Sequence, residues 1–452
     1  MVNQNNNATG GLPVDFWQIL NLTREHITER YAAALTDRDK LTQLRSYIQK
    51  YLRDGDYQVD GLSFDDITEA LYCEMAQYSV LTQYLGSPLL EEINLNGWDD
   101  IALTKTDGSI EKTGDQFHNP QHSEDIVKRL LHHSGMIIDN ATPIAQGHLP
   151  NNTRITALKT PIVDEDVGIA ASIRLLHNYR ITREMLLETQ FATEEMLDFL
   201  VTCMRYGASV VVSGATSTGK TTLINYLLGE IPDSKRIFTI ESGARELSLV
   251  KKQDGRVINN IVHTLSRPSD NPAFDISQER LVVASLRFSP DIVVVSEMRD
   301  VEAYSAVEAS LTGHTVVSTV HSGAGDAAHM RIALLCQKKF PIDFNTSLIQ
   351  AAQAFPIVVF THKLENNARK IMCIAEAEIL PDGSRAYHTL YDYEISKNTV
   401  RGNEYEVEGH FRKPEYMSDS LKQRLMQYGV PQTALKRFLP ASPFKFQKRR
   451  PT

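Results

Sequence analysis

The spacing of apolar residues along the chain predicts a different kind of structure in each region. Between residues 14 and 85, apolar positions recur every three or four residues with charges between them, as in DFWQILNLTREHITERYAAAL, and this spacing predicts helices. From residue 86, stretches such as EEINLNGWDDIALTKTDGSI and RITALKTPIVDEDVGIAASIRLL predict strands around turns. We therefore predict an N-terminal helical segment over residues 1–85 and a smaller α/β domain over residues 86–183.

The second half of the chain alternates short apolar runs with helical stretches. ASVVVSG, RIFTIE, DIVVVSE and HTVVSTVH suit strands buried on both faces, and KTTLINYLLGE, SQERLVVASLRF and DVEAYSAVEASLTG suit helices between them. The alternation predicts a doubly wound, mostly parallel sheet with ligands at the carboxyl ends of its strands. FPIVVFTHKL, RKIMCIAEAEIL and RAYHTLYDYEIS follow as a predicted antiparallel annex. This domain would span residues 184–400, and residues 401–452 would form a C-terminal helix and a basic tail.

Composition and charge exclude several classes of protein. The 452 residues include 42% hydrophobic and 23% charged residues, which is typical of a globular chain, and the net charge of -9 argues against a broad nucleic-acid-binding surface. The four cysteines form no CxxC pair, so a zinc ribbon and a disulfide framework are both disfavoured. No apolar run is long enough for a membrane helix. We therefore expect a cytoplasmic protein whose membrane contact is only peripheral.

A basic segment, KRFLPASPFKFQKRR, lies near the end of the chain. Its interleaved phenylalanines would suit an anionic membrane face or a membrane-embedded partner. We favour the alternative, a solvated tail without regular structure.

The segment GATSTGKT, preceded by a predicted strand and followed by a predicted helix, matches the complete phosphate-binding pattern G-x-x-x-x-G-K-[ST]. Its glycines let the backbone amides and the helix N-terminus surround a phosphate, a lysine neutralises charge, and a hydroxyl is offered to Mg²⁺. We therefore predict binding of ATP with Mg²⁺. The expected binding residues are Gly214, Ala215, Thr216, Ser217, Thr218, Gly219, Lys220, Thr221 and Thr222.

Hydrolysis needs an acid that orients water, and two glutamates end apolar strands. Glu297 closes DIVVVSE and Glu241 closes RIFTIE. The alternative for each is a structural surface glutamate. His321 ends HTVVSTVH, where an imidazole could sense the γ-phosphate, although a lone strand-end histidine is more often structural. Thr221 and Glu297 are the candidate Mg²⁺ ligands.

Arginines could supply the countercharge that a transferring phosphate needs, often from another domain or subunit. Sequence reasoning does not choose among them, and most are expected to be salt-bridged scaffold. The candidates are Arg154, Arg174, Arg267, Arg280, Arg287 and Arg299.

Four boxes in order resemble the secretion ATPases of type II and type IV secretion and of Flp/Tad pilus assembly, the CpaF/TadA branch. They are GATSTGKTT, the acidic box TIESGAREL, the Walker B region SLRFSPDIVVVSEMRD and the histidine box TGHTVVSTVHS. The resemblance implies a homo-hexameric ring in which ATP binds between an N-terminal domain and a RecA-like C-terminal domain. It also implies an inner-membrane platform protein as partner and the inner face of the cell membrane as the place of peripheral association.

The resemblance also implies roles for individual residues. Glu297 would be the Walker B acid, Glu241 the acidic-box residue that handles water, and His321 the γ-phosphate contact supported by His314. Arg174 in SIRLL matches an N-terminal-domain arginine that reaches the nucleotide, and Arg154 has a similar position. Arg267 and Arg280 resemble arginines between the acidic and Walker B boxes.

Two departures qualify the match. Ser242 and Gly243 follow Glu241 where the family has a second acid, and Ser296 replaces the usual glycine before Glu297. These leave the division of labour between the two glutamates open. The absent tetracysteine motif favours the Tad or conjugation-type branch over the zinc-bearing type II branch.

The sequence therefore predicts an ATP-hydrolysing hexameric motor that powers pilus assembly or secretion and does not act directly on nucleic acid. Two alternatives remain open: a RecA-like helicase or nucleic-acid translocase, and an assembly scaffold that binds ATP with little turnover. The direction of force, extension or retraction of a pilus, also stays open.

Overall fold

The structure is a computed structural model of the chain. It describes residues 12–31, 41–132, 134–149, 153–176, 180–267, 269, 271–402 and 404–439. The chain divides into two compact units, one formed by Met1–Thr106 with Ile110–Leu175, the other by Asp107–Ser109 with Leu176–Thr452. The predicted domain boundaries after residues 85, 183 and 400 stay predictions. The basic tail lies mostly at residues 440–452, outside the described residues.

The first unit begins with the predicted helical segment. Its elements are β1 (Leu12–Pro13), α1 (Phe16–Tyr31), α2 (Leu41–Asp54), β2 (Tyr57–Gln58) and α3 (Phe64–Ala76). Apolar residues at helical spacing, among them Ile19, Ile48 and Leu71, are fully buried in one cluster between the three helices. A capping box at Ser63 and Asp66 starts α3 by satisfying exposed backbone amides. The predicted helices are therefore present.

An antiparallel sheet with one helix completes the first unit. Its elements are β3 (Leu90–Gly97), β4 (Asp100–Lys105), β5 (Ile110–Lys112), α4 (Pro120–His132), β6 (Ile144–His148), β7 (Arg154–Lys159) and β8 (Ile169–Arg174). The strand order is β5-β4-β3-β8-β7-β6. Buried side chains alternate along β7 and β8, since only one face of the sheet packs on the core that includes Ile126 and Leu130 of α4.

The second unit contains the predicted alternation of strands and helices. In chain order its first elements are α5 (Arg183–Glu188), α6 (Glu194–Arg205), β9 (Val210–Ser213), α7 (Lys220–Gly229), β10 (Ile237–Glu241), β11 (Lys252–Gln253), β12 (Arg256–Val257) and β13 (Ile261–Leu265). The next elements are α8 (Gln278–Ser285), β14 (Ile292–Met298), α9 (Glu302–Leu311), β15 (Thr315–Val320), α10 (Asp326–Gln337) and α11 (Phe344–Ala354). The last elements are β16 (Ile357–Lys363), β17 (Arg369–Ile379), β18 (Arg385–Arg401), β19 (Glu404–Arg412), α12 (Asp419–Gln427) and α13 (Gln432–Leu435).

Nine of these strands form one sheet in the order β13-β10-β14-β15-β9-β16-β17-β18-β19, whereas β11 pairs with β12 in a separate two-stranded sheet. The pairs from β13 to β16 are parallel. Both faces are buried: Val210 and Val212 pack on the side of α6 and α7, whereas Val211 packs on the side of α9, α10 and α11. Adjacent residues of a strand point to opposite faces, which is why β9 is buried throughout. The predicted doubly wound, mostly parallel sheet is confirmed.

The antiparallel annex differs from the prediction in two respects. The run FPIVVFTHKL was assigned to the annex, but β16 pairs in parallel with β9 and belongs to the main sheet; only its other edge pairs antiparallel, with β17. The strand β19 was not predicted, because its glutamates alternate with Tyr405, Val407 and Gly409, and no residue of the strand is fully buried. A polar edge strand carries little hydrophobic signal.

None of the helices within the described residues combines the length and the apolar character that crossing a bilayer requires.

Candidate nucleotide site

The phosphate loop joins the carboxyl end of β9 to the start of α7, as predicted. Gly219 precedes the first helical residue with φ +95°, a left-handed conformation that favours glycine. At Gly214, φ is +146°, and a Cβ atom would lie 2.3 Å from the carbonyl oxygen of Thr361. A Cβ atom at Gly219 would lie 2.9 Å from Cε2 of the buried Phe191. Glycine is therefore needed at both ends of the loop, for backbone conformation and for space.

Lys220 lies beneath this loop with 8% of its surface exposed. Its Nζ donates to the carbonyl oxygens of Gly214, at 2.9 Å, and Ala215, at 2.6 Å. The ammonium group and the N-terminus of α7 thus place positive charge on the same side of the loop. This is the arrangement that a polyphosphate needs.

Two residues that the sequence analysis missed hold the loop from the neighbouring strands. The hydroxyl groups of Thr218 and Thr361 lie 2.8 Å apart, and the Thr361 hydroxyl donates to the carbonyl of Ser213. Nε of Arg369 donates to the carbonyl of Ser217 at 2.9 Å. A threonine within the buried run IVVFTHK was an available signal for Thr361, whereas nothing local marks Arg369.

Glu297 and His321 come together beside the loop, as their positions at neighbouring strand ends predicted. Nε2 of His321 lies 3.0 Å from Oε1 of Glu297, and Nη2 of Arg299 donates to Oε2 of Glu297 at 2.5 Å. The register of β14 against β15 shifts between Val295 and Met298, which turns the Glu297 side chain relative to a regular strand. Its side chain keeps 17% exposure, although Oε1 itself is buried, so the carboxylate is restrained and only partly shielded from solvent.

Electrostatics keep the His321 imidazole neutral. Partial burial lowers its pKa, the positive charge of Lys220 lowers it further, and the neighbouring Glu297 carboxylate only partly offsets both. The ring also interacts with the backbone of Gly214. At neutral pH the site therefore presents an uncharged imidazole next to the phosphate loop.

Glu241 is buried at the end of β10, with 1% exposure. Its Oε2 accepts hydrogen bonds from the backbone N–H groups of Glu246, at 2.7 Å, and Leu247, at 3.0 Å. Nδ1 of His263 lies 3.7 Å from Oε1. These contacts favour a role in fixing the segment after β10, and the predicted handling of water by Glu241 stays a prediction.

Glu246 stands next to the residue expected to bind magnesium, and the sequence analysis did not select it. Its Oε2 accepts a hydrogen bond from the Thr221 hydroxyl at 3.2 Å. Glu246 follows the predicted strand by several residues without an apolar run of its own, so its place in the acidic box TIESGAREL was the one signal for it.

Arg267 lies at the far edge of the sheet, just after β13. Four strand spacings separate β13 from β9, which corresponds to about 19 Å. Its guanidinium donates to the carbonyl of Phe274 through Nε and Nη2, and Arg280 donates to Asp275 in the same loop. Within one protomer Arg267 is therefore not part of the phosphate site, and the predicted role remains only for a nucleotide bound by another subunit.

His314 is placed away from the loop, contrary to the expectation that it supports His321. His314 precedes β15 and His321 follows it, so the two histidines lie at opposite ends of this strand. A six-residue strand spans about 20 Å. His314 instead lines a surface cavity with Asp291 and Tyr206. The expected direct support of the nucleotide by His314 is wrong for a single protomer, because strand direction separates the two histidines.

Arg154 and Arg174 lie in the first unit, directly opposite each other on β7 and β8. Nη2 of Arg174 is 3.9 Å from Oε1 of Glu91. Like charges opposite each other in a sheet repel, and an anion between them would offset that cost. Their predicted contact with the nucleotide stays a prediction.

The donor set of the second unit fits ATP with Mg²⁺. The loop amides, the N-terminus of α7 and Lys220 suit phosphate oxygens, and the Thr221 hydroxyl with nearby carboxylates suits a hard divalent ion. In the part of the chain that the structure describes, no three His, Cys, Asp or Glu side chains form a cluster that could hold a metal. Such a site suits an ion that arrives with phosphate ligands of its own.

The sequence model of the family described as "Type II/IV secretion system protein" matches residues 75–385, the greater part of the chain. The chain belongs to this family. Together with the strand order, the family match confirms the predicted fold class, a RecA-like P-loop domain preceded by a smaller α/β domain and helices.

Several curated proteins resemble this type II/IV secretion family member. The type IV secretion system protein PtlH of Bordetella pertussis is 32% identical over 191 residues, covering 41% of this chain and 54% of PtlH. VirB11 of Bartonella quintana is 25% identical over 247 residues, covering 47% of this chain and 67% of VirB11. The chain thus spans about half the length of PtlH.

Solved structures with detectable likeness include two ATPases. The VirB11 ATPase of Brucella suis, in complex with sulphate, is 21% identical and covers 66% of this chain and 95% of its own, with a TM-score of 0.35. DotB of Legionella pneumophila is 17% identical and covers 77% and 83%, with a TM-score of 0.46. Because these TM-scores are low, the fold assignment rests on the strand order and the family match.

Proposed function

We propose that the protein is an ATP-hydrolysing motor that powers pilus assembly or secretion of the type II or type IV kind. The observation that carries this proposal is the meeting of Glu297 and His321 beside the phosphate loop, within one unit. A loop alone binds nucleotide, whereas an acid and an imidazole beside it can direct water onto the γ-phosphate.

Each group of the site has a definite part in the proposed reaction. The loop amides and Lys220 bind the β- and γ-phosphates, and Mg²⁺ neutralises the charge that develops on them. Glu297 orients the attacking water and accepts its proton. The neutral His321 donates a hydrogen bond to a γ-phosphate oxygen and reports whether that group is present.

Arginines complete the charge balance in this proposal. Arg154 and Arg174 form a pair of cations where β7 begins and β8 ends, and they would bind the nucleotide when the first unit closes on it. Arg267, which is remote from the phosphate loop of its own protomer, would serve the site of a neighbouring subunit in a homo-hexameric ring.

The proposed setting is the cytoplasmic face of the inner membrane. There a hexamer would couple successive closures to an inner-membrane platform protein and so move pilin or a secreted substrate. Family membership supports this setting, and the net charge of -9 supports a protein partner over nucleic acid.

The test is steady-state ATP hydrolysis by the purified chain with magnesium, with its mass in solution measured with and without nucleotide. We expect turnover that single-stranded DNA does not stimulate and a six-subunit assembly. Strong stimulation by DNA would favour a translocase. Nucleotide binding without any turnover, in the presence of the membrane partner, would favour a nucleotide-gated scaffold.

A further inference from the structure

A second carboxylate lies directly beside the threonine that begins the phosphate helix. Oε2 of Glu246 and Oγ1 of Thr221 are 3.2 Å apart. Thr221 sits in the first turn of α7, and Glu246 is half-buried in the segment that follows β10. The two oxygens come from elements that only the tertiary fold brings together.

The position of Glu246 is set by its own backbone. The buried Glu241 carboxylate accepts hydrogen bonds from the N–H groups of Glu246 and Leu247, and this fixes the turn from which the Glu246 side chain extends. A buried carboxylate that holds two amides is a rigid support. Glu241 therefore positions Glu246, and Glu246 reaches the phosphate site.

Glu246 and Glu297 approach the site from different strands. The hydrogen bond from Arg299 to Glu297 is the main cause that raises the pKa of Arg299, and the charge of Glu246 raises it further. Glu297 is thus held by Arg299 and His321, whereas Glu246 is held against Thr221. The two carboxylates have different neighbours and are suited to different tasks.

The spacing of the Thr221 and Glu246 oxygens suits an octahedral divalent cation. Ligands at 2.0–2.1 Å in adjacent octahedral positions lie about 2.9 Å apart. The observed 3.2 Å between Oγ1 and Oε2 needs only a small adjustment to reach that value. One hydroxyl and one carboxylate, with phosphate oxygens and water, make a common magnesium environment.

We propose that Glu246, together with Thr221, binds the magnesium ion that accompanies the nucleotide. Glu297 is then left to orient water, and Glu241 acts through Glu246 as a positioning residue. The inference rests on the proposed binding of ATP. In this inference Glu246 takes the role of magnesium ligand that the sequence predicts for Glu297.

The test measures metal affinity directly. Mn²⁺ replaces Mg²⁺, and its binding to the full chain with a non-hydrolysable ATP analogue is followed by electron paramagnetic resonance. Glu246→Gln is the informative variant, because the amide oxygen still accepts the Thr221 hydrogen bond while the charge is lost. We expect Mn²⁺ affinity to fall about tenfold or more, with unchanged affinity for the analogue in excess chelator.

Three controls make the result specific. Glu404→Gln removes an exposed carboxylate on β19 and should leave Mn²⁺ affinity unchanged. Glu297→Gln should weaken Mn²⁺ much less than Glu246→Gln does. Thermal melting of each variant without ligand shows whether the fold is intact.

Equal Mn²⁺ affinity in Glu246→Gln and the wild-type chain would overturn the inference. It would also be overturned if Glu246→Gln lost affinity for the ATP analogue equally with and without metal. Both results leave the proposed ATP binding standing. Failure of the wild-type chain to bind the analogue at all would instead remove the proposed function.

Discussion

Nε2 of His321 lies 3.0 Å from Oε1 of Glu297, at the ends of two adjacent parallel strands. Burial lowers the pKa of His321, and the nearby ammonium group of Lys220 lowers it further. The effect of Lys220 shows that the pair lies close to the phosphate loop. A strand-end acid and a strand-end histidine, each ambiguous alone, thus form one site with the lysine.

Replacing Glu297 by glutamine should separate binding from turnover. The amide cannot accept a proton from water, so we expect ATP hydrolysis to fall by about 100-fold or more while nucleotide still binds. Steady-state hydrolysis and fluorescent-nucleotide titration measure the two effects. If Glu297→Gln kept full turnover while Glu241→Gln abolished it, the roles assigned to the two glutamates would be reversed.

Replacing Lys220 by alanine should abolish nucleotide turnover without unfolding the chain. The ammonium is the cation held directly under the loop, and losing one preorganised charge of this kind costs about 100-fold or more in rate. Circular dichroism should remain close to that of wild type. Lys252→Ala, an exposed change on β11, serves as control and should hydrolyse ATP normally.

Replacing Gly214 by alanine should distort the phosphate loop. The new Cβ would meet the Thr361 carbonyl oxygen at 2.3 Å, in a backbone conformation that alanine rarely adopts. We expect a stability loss of about 1–3 kcal/mol and loss of nucleotide binding.

Gly229→Ala is the matched control for Gly214→Ala. Gly229 ends α7, and a Cβ there would approach only Nε of Arg180, at 3.9 Å. Alanine is favoured over glycine in a helix, so we expect unchanged binding and a small gain in stability, up to about 1 kcal/mol. Urea denaturation and nucleotide titration compare both variants. Equal binding by Gly214→Ala and wild type would contradict the structure of the loop.

Buried His329 should make the second unit lose stability in mild acid. Burial lowers its pKa to about 4, and its ring nitrogens contact the Tyr387 hydroxyl and the Phe355 carbonyl. The unfolded chain takes up this proton near pH 6.5, so stability should decrease as the pH falls below that value, by about 3 kcal/mol at most. Urea midpoints between about pH 7.5 and about pH 5.5 measure the slope.

His388 supplies a control of opposite sign. Burial lowers its pKa, but hydrogen bonds to Glu378 and Glu415 outweigh burial and raise it overall. Its stabilisation is therefore present at low pH and is lost as the pH rises through the raised pKa. His329→Gln should make the pH dependence shallower, and His388→Gln should make the rise of stability with pH steeper. Shifts in the same direction would refute the assignment.

Local pattern was enough to predict the phosphate loop, since its glycines, lysine and flanking elements lie within one strand–loop–helix unit. Glu297 and His321 were also predictable, because the ends of buried parallel strands meet at one edge of a sheet. The same logic failed for His314, which precedes its strand. A threonine in a buried run was a signal for Thr361, but its contact to the loop, like those of Arg369 and Glu246, depends on which segments of the chain become neighbours in the fold.

The shared strand β16 has a mechanical consequence. It is hydrogen-bonded to β9 on one edge and to β17 on the other, and its Thr361 touches the loop itself. The strands β17 to β19 belong to the same hydrogen-bonded sheet as β9, which leads into the phosphate loop. A force applied to these outer strands is therefore transmitted to the loop through the backbone hydrogen bonds between successive strands. Strain that arrives at β17 would reach the loop after crossing two strand pairings, β17 with β16 and β16 with β9.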